Sequence, residues 1–152
     1  MTLKIPYLDY PEAFTSAECD AILALAGNDV LTSATVWSGT HDHVDPQLRQ
    51  VERCHWHRDG REWIFDRLDA LFADAAARLD IVVDSIFEEI QFLRYGVGAH
   101  FQQWHSDAGT DRHETRRISA SVELSEAADH MGGVLEIVPV MGMPRTLPRG
   151  GA

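Results

Sequence analysis

The sequence predicts an α+β fold in which helices come first and a run of short antiparallel strands follows. Before Asp84 the apolar residues recur at helical spacing, and after it they form short strand-like runs and one clean two-residue alternation. The composition, 45% apolar and 24% charged over 152 residues, is that of one globular domain that covers residues 1–152.

The first helix is predicted to follow an extended segment over residues 4–14. Thr15 and Glu18 have the spacing of a capping box, in which each side chain accepts a hydrogen bond from the other residue's backbone N–H. Apolar residues continue at helical spacing to Ala26. Gly27 is expected to end the helix in a left-handed conformation.

The second helix is predicted over Glu62–Leu79. Its apolar residues fall at intervals of 4, 3, 1, 3 and 4, and they are Ile64, Leu68, Leu71, Phe72, Ala75 and Leu79. Residues 28–60, between the two helices, are rich in loop-forming residues. Short strands are expected there at 35–37 and 51–56.

Four further strands are predicted in the C-terminal half. Residues 86–95 and 99–107 flank a glycine-containing turn, and residues 134–138 follow Gly132 and Gly133. Residues 117–124 alternate between apolar and polar side chains, as in a strand with one buried face.

Charge and hydropathy exclude several classes of function. A net charge of −11 argues against nucleic-acid binding, which needs a basic surface. We find neither the run of about 20 apolar residues that a membrane span requires nor a signal peptide, so we expect no membrane partner and a cytoplasmic location. Two isolated cysteines, Cys19 and Cys54, fit a reducing compartment.

The strongest candidate for chemistry is the pair His105 and Asp107. Residues two apart on a strand project from the same face, so an imidazole and a carboxylate can converge on one metal ion. His43 and Asp45 have the same spacing, but they lie in a polar loop followed by a proline, whereas the first pair ends a predicted strand. Two histidines and one carboxylate on one face of a metal, with the other face open, is the arrangement of non-haem iron(II) oxygenases.

Other polar residues have simpler interpretations. His55 and His57 lie beside Cys54 but have no second pair at structural-zinc spacing, so packing or surface roles are favoured. His100 is interpreted as a strand-surface or pocket-rim residue. Arg116 and Arg117 are interpreted as solvated charges at the start of a strand.

Several stretches resemble the 2-oxoglutarate- and iron(II)-dependent dioxygenases of the prolyl 4-hydroxylase-like group. Residues 89–101, 105–109, 117–125 and 132–137 match the motifs of that group in order and spacing. Residues 14–19, 34–36 and 62–68 look like its N-terminal region. The resemblance therefore extends over nearly the whole chain.

The resemblance implies a fold, a site and an activity. The fold would be a double-stranded β-helix, or jelly roll, over residues 85–152, supported by N-terminal helices over residues 1–84. His105 and Asp107 would be the first two iron ligands, and Tyr95 would hydrogen-bond 2-oxoglutarate. Such enzymes couple the oxidation of 2-oxoglutarate by dioxygen, to succinate and carbon dioxide, with hydroxylation of a peptidyl proline or similar residue. Ascorbate commonly keeps their iron reduced.

The sequence departs from the pattern of this group near its C-terminus. The second metal histidine, and the Arg or Lys that pairs with the distal carboxylate of 2-oxoglutarate, are expected well beyond Gly133, yet the last histidine is His130. Eight strands with their connections need roughly 80 to 95 residues, more than follow Asp84. We therefore expect an incomplete, inactive fragment with about the first half of the jelly-roll strands. The alternatives are a non-catalytic, cupin-like binding module and a degenerate interaction domain.

Overall fold

A computed structural model describes residues 7–109, 114–137 and 144–152. Within these ranges the chain is mixed α+β, as predicted, with helix α1 at Ser16–Ala26 and helix α2 at Glu62–Leu79. Neither helix has the length and apolarity needed to cross a membrane. A 3₁₀ turn covers Ala127–Asp129. The strands are β1 Thr32–Ser33, β2 Val36–Trp37, β3 Asp42–His43, β4 Arg49–Gln50, β5 Glu52–Trp56, β6 Ile90–Arg94, β7 His100–Phe101, β8 Leu135–Glu136 and β9 Pro144–Arg145.

All the described strand pairs are antiparallel. Strand β5 lies between β1 and β6 in a three-stranded sheet, with Trp56 opposite Ile90 and Arg53 opposite Leu93. Strand β4 pairs with β7, which places Arg49 opposite Phe101. The other two sheets are the pairs β2 with β3 and β8 with β9.

The helix predictions are confirmed except at one end. The capping box is present, because Thr15 Oγ1 accepts from the Glu18 N–H at 3.2 Å and Glu18 accepts from the Thr15 N–H at 2.7 Å. The left-handed conformation predicted for Gly27 is wrong, since its φ of −62° and ψ of −18° are right-handed. The N–H groups of Asn28 and Asp29 still donate to carbonyls of α1, so the backbone continues in a right-handed turn beyond Gly27.

The core lies between the two helices and one face of the sheet β1-β5-β6. Trp56 stacks on Phe92 across β5 and β6, with ring centroids 5.5 Å apart. Asp29 accepts from Trp56 Nε1 at 2.6 Å and from Arg61 at 3.0 Å, and thereby ties the end of α1 to β5 and to the start of α2. The buried members of this core cluster are Phe14, Cys19, Ile22, Ala26, Trp56, Ile64 and Leu68.

The predicted strands are shorter than expected, and some differ in kind. Of residues 99–107 only His100–Phe101 is a strand. Residues 117–124 form no strand, although Val122 and Leu124 pack against the core. The apolar side chains of this segment are thus the ones that face the core, as the alternation predicts. The backbone of Glu123, however, bonds to the backbone of Gly150 and Gly151 and not to a neighbouring strand. Strands β2 and β5 lie within the predicted ranges 35–37 and 51–56, whereas β1, β3 and β4 lie in the same N-terminal region at positions where no strand was predicted.

The C-terminal residues pack against the segment that leads into α1. Tyr10 and Ala152 exchange backbone hydrogen bonds of 2.8 and 2.9 Å, and the Phe14 N–H donates to the Gly150 carbonyl at 2.8 Å. Gly150 has a φ of +77°, and a Cβ at this position would stand 2.0 Å from the carbonyl oxygen of Phe14. Only glycine fits this close approach of two backbones.

This contact predicts a large effect for Gly150→Ala. We expect the free energy of unfolding to fall by at least about 3 kcal/mol, because the left-handed backbone is strained and the Phe14 carbonyl must move. Gly39→Ala is the matched control, since Gly39 has a φ of +92° but nothing within 4 Å of its added Cβ. It should lose only about 1 to 2 kcal/mol. Urea unfolding of both variants measures the difference, and equal losses would contradict the packing argument.

Candidate functional site

The side chains of His105 and Asp107 converge just beyond β7. Imidazole Nε2 of His105 lies 3.4 Å from Oδ1 of Asp107, and the two side chains are 46% and 50% exposed. Both residues lie in the extended segment after Phe101 rather than on a strand. The predicted pair is therefore close together and open to solvent.

The contacts of His105 determine which of its ring nitrogens is available to bind a metal ion. Nδ1 lies 2.9 Å from the backbone carbonyl of Gln103, so this nitrogen donates a proton to that oxygen. In the neutral ring Nε2 is then the nitrogen with a free lone pair, and it is the one beside Asp107. A metal-binding histidine commonly donates its other N–H to a backbone carbonyl in this way. The Phe101 ring stacks on the imidazole at 4.6 Å.

Arg116 holds the segment that carries Asp107. Its guanidinium forms a two-pronged ion pair with Glu88 at 2.7 and 2.9 Å and donates to the Asp107 carbonyl at 3.2 Å. The prediction of a solvated charge at position 116 is therefore wrong, because the side chain is partly buried in this ion pair. We assign Arg116 the role of positioning Asp107.

Tyr95 and Arg49 lie on the same side of the sheet as the His105–Asp107 pair. The Arg49 guanidinium stacks over the Phe101 ring at 4.6 Å, on the phenylalanine that also contacts His105. Burial raises the pKa of the Tyr95 hydroxyl, while the nearby charge of Arg49 opposes the shift. The pKa of Arg49 is lowered, mainly by burial and then by Arg53, while Tyr95 and Asp107 act in the opposite direction.

The alternative pair, His43 and Asp45, is not brought together as a metal site. Asp45 Oδ1 accepts from the backbone N–H of Gln47 at 3.0 Å, a local turn contact, and no ion pair joins it to His43 among the described residues. The ring nitrogens of His100 face the carbonyls of Gly98 and Gln47, both at 3.2 Å. His100 is therefore held by backbone rather than free to bind a metal.

A second group of titratable side chains lies farther along the same face. Glu89 is 3.7 Å from His55 Nδ1 and 3.1 Å from His57 Nε2. This arrangement agrees with the surface role predicted for both histidines. Across the described ranges no three His, Cys, Asp or Glu side chains are grouped so that they could hold a metal ion, so His105 and Asp107 have no third ligand there. His113 lies outside the described residues.

Sequence reasoning missed Arg49 and Arg53 as site residues. Arg53 could have been found, because it alternates with the buried face of β5 and so belongs to the opposite face. Arg49 carries no such signal, since its approach to the site depends on the pairing of β4 with β7, about fifty residues away in sequence.

Comparisons with protein-family models, curated proteins and solved structures each find no match to this chain. The geometry and the sequence motifs are therefore the basis for assigning a function.

The charges around His55 predict a measurable shift. Burial, then the positive charge of Arg53, lowers the pKa of His55 below its ordinary 6.5, and Glu89 opposes this. We expect Arg53→Gln to raise the pKa of His55 and Glu89→Gln to lower it further, as followed by NMR titration of the imidazole protons. Since the folded state prefers the neutral ring, the stability linked to His55 is fully present above pH 6.5 and is lost as pH falls below 6.5 through the lowered pKa of the folded state. An unchanged titration in Arg53→Gln would contradict this picture.

Proposed function

We propose that this chain carries part of the iron(II) site of a 2-oxoglutarate-dependent dioxygenase that hydroxylates a peptidyl proline or a similar residue. The observation that carries the proposal is the convergence of His105 Nε2 and Asp107 Oδ1 at 3.4 Å. The resemblance of the surrounding motifs to the prolyl 4-hydroxylase-like group supports the same assignment.

The donor set fits the proposed metal. A neutral imidazole and a carboxylate are two of the three ligands in the facial arrangement that iron(II) oxygenases use. The carbonyl of Gln103 fixes the imidazole with Nε2 toward Asp107, which is the orientation that binding requires. Both ligands are half exposed, so a metal ion can reach them without opening the core.

Bound iron(II) would supply the oxidising chemistry that couples decarboxylation of 2-oxoglutarate to hydroxylation, with ascorbate keeping the metal reduced. The residues of this chain would bind and orient. Tyr95 would donate a hydrogen bond from its hydroxyl group to 2-oxoglutarate, and burial, which raises its pKa, favours the protonated form that can donate. Arg116 would hold Asp107 through the backbone contact at 3.2 Å.

We also propose a jelly roll as the full architecture. Its interior wall would be the face of β5 and β6 that points away from the helices. Leu93 and Tyr95, which follow the alternation of β6 on this face, are 38% and 48% exposed. Further strands packed over this face would bury them.

Metal titration tests the site directly. We expect the purified chain to bind iron(II) under anaerobic conditions, or cobalt(II) as a spectroscopic probe, with an affinity that falls at least about tenfold in His105→Ala and in Asp107→Ala. The physical reason is that each variant removes one of the two described donors.

The second pair at the same spacing provides the matched control. His43→Ala and Asp45→Asn should leave metal affinity within about twofold of the parent protein, because these side chains do not converge. Equal losses in both sets, or no loss in the His105 and Asp107 variants, would contradict the assignment. His113→Ala determines whether that residue contributes a further ligand.

Turnover is measured as succinate formed from 2-oxoglutarate with iron(II), ascorbate, dioxygen and a proline-containing peptide. Succinate formation that His105→Ala abolishes would support the dioxygenase function. Metal binding that 2-oxoglutarate tightens, without succinate formation, agrees with the inactive dioxygenase fragment that we expect. Metal binding that 2-oxoglutarate leaves unchanged would favour the non-catalytic, cupin-like module instead.

A further inference from the structure

We propose that Arg49 and Arg53 together form a binding site for a carboxylate, carried either by a small dicarboxylic acid or by an acidic side chain of a peptide. Arg49 on β4 and Arg53 on β5 belong to different sheets, but their guanidinium groups share Thr35 and Gln91 as neighbours. This site consists of side chains that are not needed to hold the metal, so the inference stands whether or not iron binds.

The two arginines are held side by side by neutral oxygens only. Arg49 donates to the Thr35 carbonyl at 3.0 Å and Arg53 donates to the Thr35 hydroxyl at 2.7 Å. Both also approach Gln91 Oε1, at 3.5 Å from Arg49 and 3.4 Å from Arg53. These last two distances are long for N–H···O hydrogen bonds, so an amide oxygen satisfies the two cations only weakly.

This pair differs from most of the other described arginines, the exception being Arg117, which is exposed and also has no ion-pair partner there. Neither Arg49 nor Arg53 has a carboxylate within ion-pair distance among the described residues. In the same part of the chain seven other arginines do have such a partner, namely Arg58, Arg61, Arg67, Arg78, Arg94, Arg116 and Arg149. In a chain of net charge −11, two adjacent cations without an ion-pair partner form a local positive charge that attracts an anion, and the nearby carboxylate of Asp107 acts on Arg49 only from beyond ion-pair distance.

The remaining donors match a carboxylate. One nitrogen of each guanidinium already bonds to Thr35, so the nitrogens that face Gln91 are those left for a ligand. Two charged N–H donors, one from each guanidinium, that converge on one position suit the two oxygens of a carboxylate, whereas a phosphate group presents three oxygens that would need further donors. Arg49 Nε is also buried without a partner, which shows that the neutral contacts do not satisfy this side chain.

The position of the pair connects it to the candidate metal site. The Phe101 ring contacts the Arg49 guanidinium and also the His105 imidazole, each at 4.6 Å. A carboxylate bound at the arginines would therefore lie one aromatic ring away from His105. It could belong to a small acid bound beside the metal or to a peptide that crosses this face.

Calorimetric titration with succinate as the probe, in buffer freed of metal by a chelating resin and without any soluble carboxylate chelator, tests the inference separately from the iron site. We expect Arg53→Gln and Arg49→Gln each to weaken succinate binding at least about tenfold, because each removes one charged donor. Arg94→Gln is the matched control, since it removes the same charge from the neighbouring strand β6 where Glu52 already neutralises it. It should change the affinity by less than about twofold.

Gln91→Glu is a second variant that does not depend on losing an arginine. It places a carboxylate between the two guanidiniums, so we expect succinate binding to disappear while the melting temperature rises by about 2 °C or more. Loss of binding together with a lower melting temperature would instead mean that the variant disturbs the sheet, and it would count against the proposed charge complementarity.

A pair of capped peptides distinguishes the two sources of the carboxylate. One contains two glutamates and the other has glutamine in their place. Binding of succinate with no preference between the peptides assigns the site to a small acid, and binding of the glutamate peptide alone assigns it to an acidic substrate. The proposal is overturned if neither carboxylate probe binds, if inorganic phosphate binds more tightly than both, or if Arg94→Gln loses as much affinity as Arg53→Gln.

Discussion

The alternation of side chains along β5 is the constraint on which the rest of the structure depends. Trp56 and Cys54 must face the helices, because Trp56 stacks on Phe92 and shares Asp29 with Arg61. Since successive residues of a strand point to opposite faces, Arg53 and His55 must then face away from the core. A shift of one residue in register would bury the guanidinium of Arg53 and expose the indole of Trp56. Packing of β5 against the helices therefore determines which residues lie on its polar face as well as which lie on its apolar face.

Pairing of β4 with β7 has a comparable effect on the candidate site. It places Phe101 opposite Arg49. The phenylalanine ring then contacts both the Arg49 guanidinium and the imidazole of His105, which follows β7 in the chain. The extended segment after β7 needs a separate anchor, which Arg116 provides through its bond to the Asp107 carbonyl. The geometry of the His105–Asp107 pair thus rests on two contacts from distant parts of the chain.

Local signals in the sequence predicted much of the fold, and long-range pairing accounts for most of what they missed. The bounds of α2 followed from apolar periodicity, and the cap of α1 from Thr15 and Glu18, because both depend on neighbours in sequence. The alternation at 117–124 correctly predicted that one face of this segment is buried. A strand also needs a neighbouring strand to pair with, and the backbone of this segment bonds instead to Gly150 and Gly151. The approach of His105 to Asp107 was predicted, but spacing alone did not decide it, because His43 and Asp45 have the same spacing and are not brought together.

Arg49 and Arg53 have neutral hydrogen-bond partners, and this explains why an acidic protein keeps a local positive charge at these two residues. Carboxylates are abundant, yet the groups that hold Arg49 and Arg53 are the carbonyl and hydroxyl of Thr35 and the amide of Gln91. Neutral acceptors fix the geometry of a guanidinium without cancelling its charge. The carboxylates of Glu52 and Glu88 do both for their arginines: two nitrogens of Arg94 donate to one oxygen of Glu52, and Arg116 forms a bidentate pair with Glu88. The Arg49–Arg53 pair therefore retains a field that acts on Tyr95, Asp107 and His55, and one bound anion would change all three environments together.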